Sequence, residues 1–193
     1  GASSGVLWTV ANAGFETYST PSLGYFVGDD GVPDVFASVA RGVWPEYESS
    51  DYLLIDGATG QVVWRETLGS FAPSGFVAGD LNGDGRDEVI FGVNDVAANT
   101  HQLYVLDTNK RVLHALSDPL AQTTFSSPWL GDIDGDGELD LITTASAYQS
   151  SGPARVERFI LVGTHVPGTV SWGGYLGTAG TGVLGDPGGA PES

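Results

Sequence analysis

Cysteine and methionine are both absent from the 193 residues, and lysine occurs once, at Lys110. The missing cysteines exclude disulfides, thiolate metal centres and cysteine nucleophiles in one step. Basic residues are scarce: seven Lys and Arg stand against 24 Asp and Glu, a net charge of −17. Nucleic acid is therefore not an expected partner, because phosphate binding needs clustered Lys and Arg. No apolar run reaches the roughly 18 residues a helix needs to cross a bilayer, so no membrane insertion is expected. Gly1 to Val10 carries no signal-peptide pattern, and the absent initiator Met reads as a processed or excised chain. With 41% hydrophobic and 10% aromatic residues, the chain is too apolar for a disordered acidic tail and long enough for a real core.

The acids are clustered. Asp80, Asp84, Asp87 and Glu88 form one group, Asp132, Asp134, Asp136, Glu138 and Asp140 a second, and Asp29, Asp30 and Asp34 a third. Half of all the acids thus fall in three short stretches, where neighbouring carboxylates repel unless a cation sits among them. The glycines that follow, Gly31, Gly85 and Gly137, with a faint fourth copy at Gly189, are spaced 54, 52 and 52 residues apart. A second landmark shares the period: Gly5 to Trp8, Gly60 to Trp64, Lys110 to His114 and Gly168 to Trp172. A repeat near 50 residues is the size of a four-stranded propeller blade, and no stretch carries a sustained helical period.

Each unit reads as four strands. The middle unit predicts strands over Phe76 to Gly79, Glu88 to Val93, Gln102 to Leu106 and Arg111 to Leu116. The preceding unit predicts Leu23 to Val27, Asp34 to Ala40, Tyr52 to Ile55 and Gln61 to Glu66, and the following one Ser127 to Leu130, Leu139 to Thr144, Val156 to Val162 and Thr169 to Trp172. The expected fold is all-β, a partial propeller of three to four blades with antiparallel strands. Its units are 11–67, 68–118 and 119–177, with 1–10 and 178–193 as parts of one incomplete blade. Gly5 to Val10 is expected to be a fourth strand. Trp64 and its counterparts, His114 included, are expected to pack between blades, with ligand stacking by the tryptophans as the alternative.

The second acidic loop reads Asp80-Leu-Asn82-Gly-Asp84-Gly85-Arg86-Asp87-Glu88, and the third Asp132-Ile-Asp134-Gly-Asp136-Gly137-Glu138-Leu-Asp140. Both place oxygen donors at positions 1, 3, 5 and 9 and glycine at 6, where a positive φ wraps the chain around a centre. Oxygen donors without His or Cys select Ca²⁺ over zinc or copper, and their number favours Ca²⁺ over Mg²⁺. An EF-hand would need a bidentate Glu at position 12, where Phe91 and Thr143 stand. The alternative is a pair of acidic turns without metal. The first copy, Gly28-Asp-Asp-Gly31-Val-Pro-Asp34, reads as shortened by about three residues. Its donor count favours a plain turn over a third calcium site at Asp30 and Asp34.

These loops resemble the calcium loops of FG-GAP (VCBS-type) repeats, found in integrin α-subunit propellers and many bacterial surface and secreted proteins. Leu54 to Trp64 is similar to the blade signature of quinoprotein-type propellers. The resemblance implies one site from Asp80, Asn82, Asp84, the carbonyl of Arg86 and Glu88. It implies another from Asp132, Asp134, Asp136, the carbonyl of Glu138 and Asp140, and leaves Asp87 facing solvent.

The function expected on these grounds is a non-catalytic, extracellular, calcium-stabilised module for surface structure, adhesion or assembly. Fewer than four units do not close a ring, so a protein partner or a further copy is expected to complete it. The competing reading is a propeller enzyme, a polysaccharide lyase or quinoprotein-like dehydrogenase. It finds His101 in a polar turn, His114 packed and His165 in a loop, with no evident partners by sequence. A third reading is a glycan- or protein-binding face from Trp44, Tyr47 and Tyr148, with the insertion Ala147 to Arg158. No Asn-x-Ser/Thr sequon occurs.

Overall fold

The computed structural model describes residues 5–11, 13–44, 46–71, 75–118, 120–121, 126–146, 153–165 and 170–174. Among these residues the chain is all-β, with no helix, in three antiparallel sheets of which none closes on itself.

The first sheet contains β1 (Phe15–Glu16), β2 (Ser22–Gly24), β3 (Asp34–Val43), β4 (Glu46–Ile55) and β5 (Val62–Leu68). β1 and β2 lie end to end along one edge of β3, followed by β4 and β5 in chain order. The second contains β6 (Val77–Gly79), β7 (Glu88–Asp95), β8 (Thr100–Asp107), β9 (Val112–Ala115) and β10 (Leu120–Ala121). Here β9 and β10 share the far edge of β8, and Phe71 extends the β6 edge by a bridge to Asn94. The third contains β11 (Trp129–Gly131), β12 (Glu138–Ala145) and β13 (Arg155–His165). Short connections between successive strands enforce this up-and-down order.

The strands alternate in burial because the sheets stack. In β3, Phe36 and Ser38 turn inward while Val35 and Ala37 are only half-buried. β7 is buried at every position from Glu88 to Asn94, so both of its faces are covered. One face meets the first sheet through Phe36, Tyr52, Phe76 and Phe91, whose rings lie 4.7–6.4 Å apart. The other meets the third sheet, where Val77, Ile90 and Leu103 pack against Leu130, Leu139, Leu141 and Leu161. The first strands lie side by side, β6 touching both β2 and β11.

One register recurs in all three sheets: Gly24 pairs with Asp34, Gly79 with Glu88, and Gly131 with Asp140. The acidic loops therefore span the same gap between a first and a second strand.

Several expectations are corrected. The segment from Gly5 to Val10 forms no strand; Val6 and Leu7 are exposed, and Trp8 instead covers the turn at Gly60, its indole N–H donating to the Gly57 carbonyl at 2.7 Å. Trp172 does not add a fourth strand to the third sheet. It is buried and exchanges both backbone hydrogen bonds with Ala78 of β6 at 2.9 Å, wedged between sheets. His114 is exposed rather than packed, because it lies on the open face of the edge strand β9. His101 is buried within β8 opposite Asn94, not in a turn, and the backbone of His165 ends β13 opposite Glu138. Trp64 does pack on the core, stacked on Phe36 at 6.3 Å. Tyr148, Gly189 and the segments 147–152, 166–169 and 175–193 lie outside the described residues.

Candidate metal centre

Each loop is shaped by its own carboxylates. Asp80 accepts from the backbone N–H groups of Gly83, Asp84 and Gly85 at 2.8, 3.1 and 2.9 Å. Asp132 accepts from Gly135, Asp136 and Gly137 at 2.7, 3.2 and 2.9 Å. Gly85 and Gly137 have the same φ of 87°, a conformation other residues rarely adopt. The position 5 carboxylate then turns the chain onward: Asp84 accepts from Arg86 N–H and Asp136 from Glu138 N–H, at 3.1 and 2.9 Å.

The first loop repeats that last feature, Asp30 accepting from Val32 N–H at 2.8 Å, with Gly31 at φ 72°. It is not shortened. Gly24 and Asp34 are ten residues apart in the chain, against nine for each of the other two pairs, so no residues are missing. Position 1 is instead Phe26 and position 3 Gly28, and both lack an oxygen-bearing side chain. Asp34 accepts from the N–H groups of Phe26, Val27 and Gly57 at 2.9, 2.6 and 2.9 Å. Burial raises its pKa against these bonds.

Two groups of carboxylates offer oxygens that all lie within 4.8 Å of one another. One is Asp84, Glu88 and Asp107; the other is Asp132, Asp134 and Asp136. Such oxygen sets could hold a metal ion. Glu88 is only 3% exposed and bonds Leu81 N–H and the Asn82 amide, both at 2.8 Å. Burial, helped by the charges of Asp84, Asp107 and Asp80, pushes its pKa up to about 7. Two further acids within reach of a buried carboxylate are the arrangement a cation relieves, so the residues fit a hard metal ion.

Sequence reasoning missed Asp107. It ends β8 and lies with Asp84 and Glu88, 19 residues beyond Glu88 in the chain and outside the spaced donors of the loop. Burial would raise its pKa, but Lys110 prevails, its ammonium 2.7 Å away, and holds the carboxyl below its usual range. Asn109 adds a hydrogen bond to Asp84 at 3.1 Å. The Arg86 side chain leaves its own loop, pairing with Asp29 at 2.7 Å and with the Gly28 carbonyl.

In the third loop Asp140 is buried at 1% exposure and accepts from Ile133 N–H at 3.1 Å. Arg158 of β13 grips both its oxygens at 2.7 and 3.0 Å and reaches Asp134 at 2.6 Å. Its guanidinium holds the Asp140 carboxyl below the usual range.

Asp87 does not face solvent. It is 4% exposed, accepting from Tyr25 N–H of the first sheet at 2.8 Å and from the Ser171 hydroxyl at 3.0 Å. Desolvation raises its pKa. Its neighbour across the sheet is another sheet rather than water, which is why solvent was the wrong expectation. Replacing Asp87 with Ala strands one buried donor and one partly buried donor and should cost about 2 kcal/mol in urea unfolding. A loss under about 0.5 kcal/mol would show that the strut is not under load.

Away from the loops, a cavity of about 490 Å³ is lined by Trp44, Tyr47, Phe71, Glu46, Glu48 and Asp95 among others. Trp44 is half exposed. A second, of about 370 Å³, opens beside Glu88, Asp107 and His114.

No protein-family model, curated protein or solved structure matches this chain. No helix among the described residues is long and apolar enough to cross a membrane.

Proposed function

We propose that this chain is a calcium-binding β-propeller module of the FG-GAP type, acting outside the cell in surface structure, adhesion or assembly rather than in catalysis. The observation that carries the reading is the shared register. Three sheets each put a carboxylate, Asp34, Glu88 or Asp140, opposite the last glycine of the first strand, at the end of an acidic loop. Face-to-face stacking with adjacent first strands is what propeller blades do.

Asp80, Asn82, Asp84, Glu88 and the Arg86 carbonyl would hold one Ca²⁺. Asp132, Asp134, Asp136, Asp140 and the Glu138 carbonyl would hold the other. The ion supplies charge: it neutralises the loop and fixes the first strand against the second. Millimolar extracellular calcium suits such a structural role.

The stacking also supports a partner. Ile90 faces the next sheet, and its counterpart in the third sheet is Ile142. The same face carries Trp129, Val156 and Ile160, all exposed. A further blade, from another copy or a partner chain, is the occupant that the repeat calls for.

Titration calorimetry tests the reading. Calcium should bind the chelator-treated protein, with one equivalent lost in Asp84→Ala; no calcium heat in the wild type would overturn it. A second reading, a glycan-binding face, rests on the half-exposed Trp44 beside the acid-lined cavity.

A further inference from the structure

By donor charge the third loop should be the stronger calcium site. Counting only donors within each loop, it has four carboxylates, Asp132, Asp134, Asp136 and Asp140, against three carboxylates and one amide in the second loop, beside which Asp107 stands already paired with Lys110. More carboxylates at matched geometry ordinarily mean tighter calcium.

The structure places a guanidinium on that loop. We propose that Arg158 is a built-in cation of the third loop, so that calcium enters there only by expelling the guanidinium, and the second loop becomes the tighter site. The inference rests on the calcium reading above.

Arg158 spans the loop's positions 3 and 9. Its Nε and Nη2 meet the two Asp140 oxygens at 2.7 and 3.0 Å, and Nη2 also meets Asp134 at 2.6 Å. A two-pronged guanidinium–carboxylate contact is among the stronger polar contacts a protein makes, and Asp140 is buried at 1% exposure. The guanidinium therefore occupies two of the four carboxylates that a metal would need.

The placement is specific to this sheet. Arg158 pairs with Ile142 on β12, while the corresponding pairs are Val105 with Ile90 and Leu54 with Phe36. Where the third sheet has a cation, the other two have aliphatic side chains. In the second loop the matching positions meet each other instead, the Asn82 amide donating to Glu88 at 2.8 Å. Near that loop Arg86 pairs with Asp29, and Lys110 pairs with Asp107, the β8 carboxylate beside Asp84 and Glu88, rather than with a donor of the loop itself.

Titration of the chelator-treated chain with CaCl₂, with Asp84→Ala and Asp136→Ala assigning the sites, reads both affinities in one experiment. The wild type should bind at the second loop at least tenfold more tightly than at the third. Arg158→Met should tighten the third loop at least tenfold and leave the second unchanged. Arg158→Lys, a point charge without the fork, should fall between.

If the second loop binds and Arg158→Met leaves the third loop unchanged or weaker, the proposal is overturned and the calcium reading stands. If neither loop binds in wild type or variant, the calcium reading itself fails and takes the proposal with it.

Because removing Arg158 leaves Asp140 buried without its cation, a wild-type measurement guards against a folding defect. The Arg158 Nε–H resonance should be protected without calcium and lose that protection as the Asp136 amide reports filling of the third loop. An Nε–H signal that stays unmoved while the third loop saturates would equally overturn the proposal.

Discussion

Excess EDTA is expected to lower the melting temperature of the calcium-loaded protein by roughly 5–10 °C. An ion present at 100 times its dissociation constant stabilises the native state by about 2.7 kcal/mol. For a chain of this length each kcal/mol moves the midpoint by about 2–4 °C. The effect belongs mainly to the second loop. There the buried Glu88 faces Asp84 and Asp107 within 4.8 Å, and among the described residues the ion pair on these three is that of Lys110 with Asp107. The third loop keeps Arg158 when calcium leaves and should lose less. Asp84→Ala should reproduce most of the EDTA effect in saturating calcium, because Asp84 is exposed and its removal opens no core cavity. Differential scanning calorimetry with and without EDTA decides the matter, and superimposable curves would contradict a stabilising calcium.

Much of the fold was readable because two signals agreed. Period-2 alternation located the strands, and the glycines at Gly31, Gly85 and Gly137 marked loops that the structure places in one register. In the second and third loops the position 6 glycines take the positive φ that the spacing implies, and the position 1 and 5 carboxylates accept backbone N–H bonds. The unreadable parts all depend on contacts between sheets or on strand register. Asp87 follows Arg86 in an exposed loop, and nothing local shows that Tyr25 and Ser171, 62 and 84 residues away, enclose it. Asp107 joins the centre because β8 runs antiparallel to β7, a pairing whose register the sequence leaves open. Arg158 reaches Asp140 only for one alignment of β12 and β13, and 147–152 between them is of no fixed motif. The landmark at Trp172 misled for a related reason: the same local pattern as Trp64 is claimed by Ala78 of another sheet. In the first loop Phe26 and Gly28 stand where the others have donors at positions 1 and 3, and only the pairing of Gly24 with Asp34 shows that the loop keeps its length.

The metal-free protein should lose stability as pH rises from about 4.5 to 7, the reverse of the usual carboxylate behaviour. Glu88 carries the effect. Its folded pKa is pushed up to about 7, from an ordinary value of 4.5. A raised folded pKa means that the native state holds the proton more tightly than the unfolded chain. That stabilisation is complete below the unfolded value and disappears as pH climbs through the folded one. A shift of this size is worth about 3 kcal/mol. Asp34 and Asp87 are raised by desolvation and act in the same direction, while Asp140, held low by Arg158, opposes them as pH falls through the acid range. Calcium reverses the dependence, since Glu88 must give up its proton to bind the ion. Affinity at the second loop should therefore fall about tenfold for each pH unit below 7, with close to one proton released per calcium at pH 6. Calorimetry in buffers of different ionisation enthalpy counts that proton, and Glu88→Gln should abolish both the release and the loss of metal-free stability. A metal-free protein whose urea midpoint rises steadily between pH 4.5 and 7 would mean that Glu88 is ionised throughout, and that the second loop needs no cation to hold it.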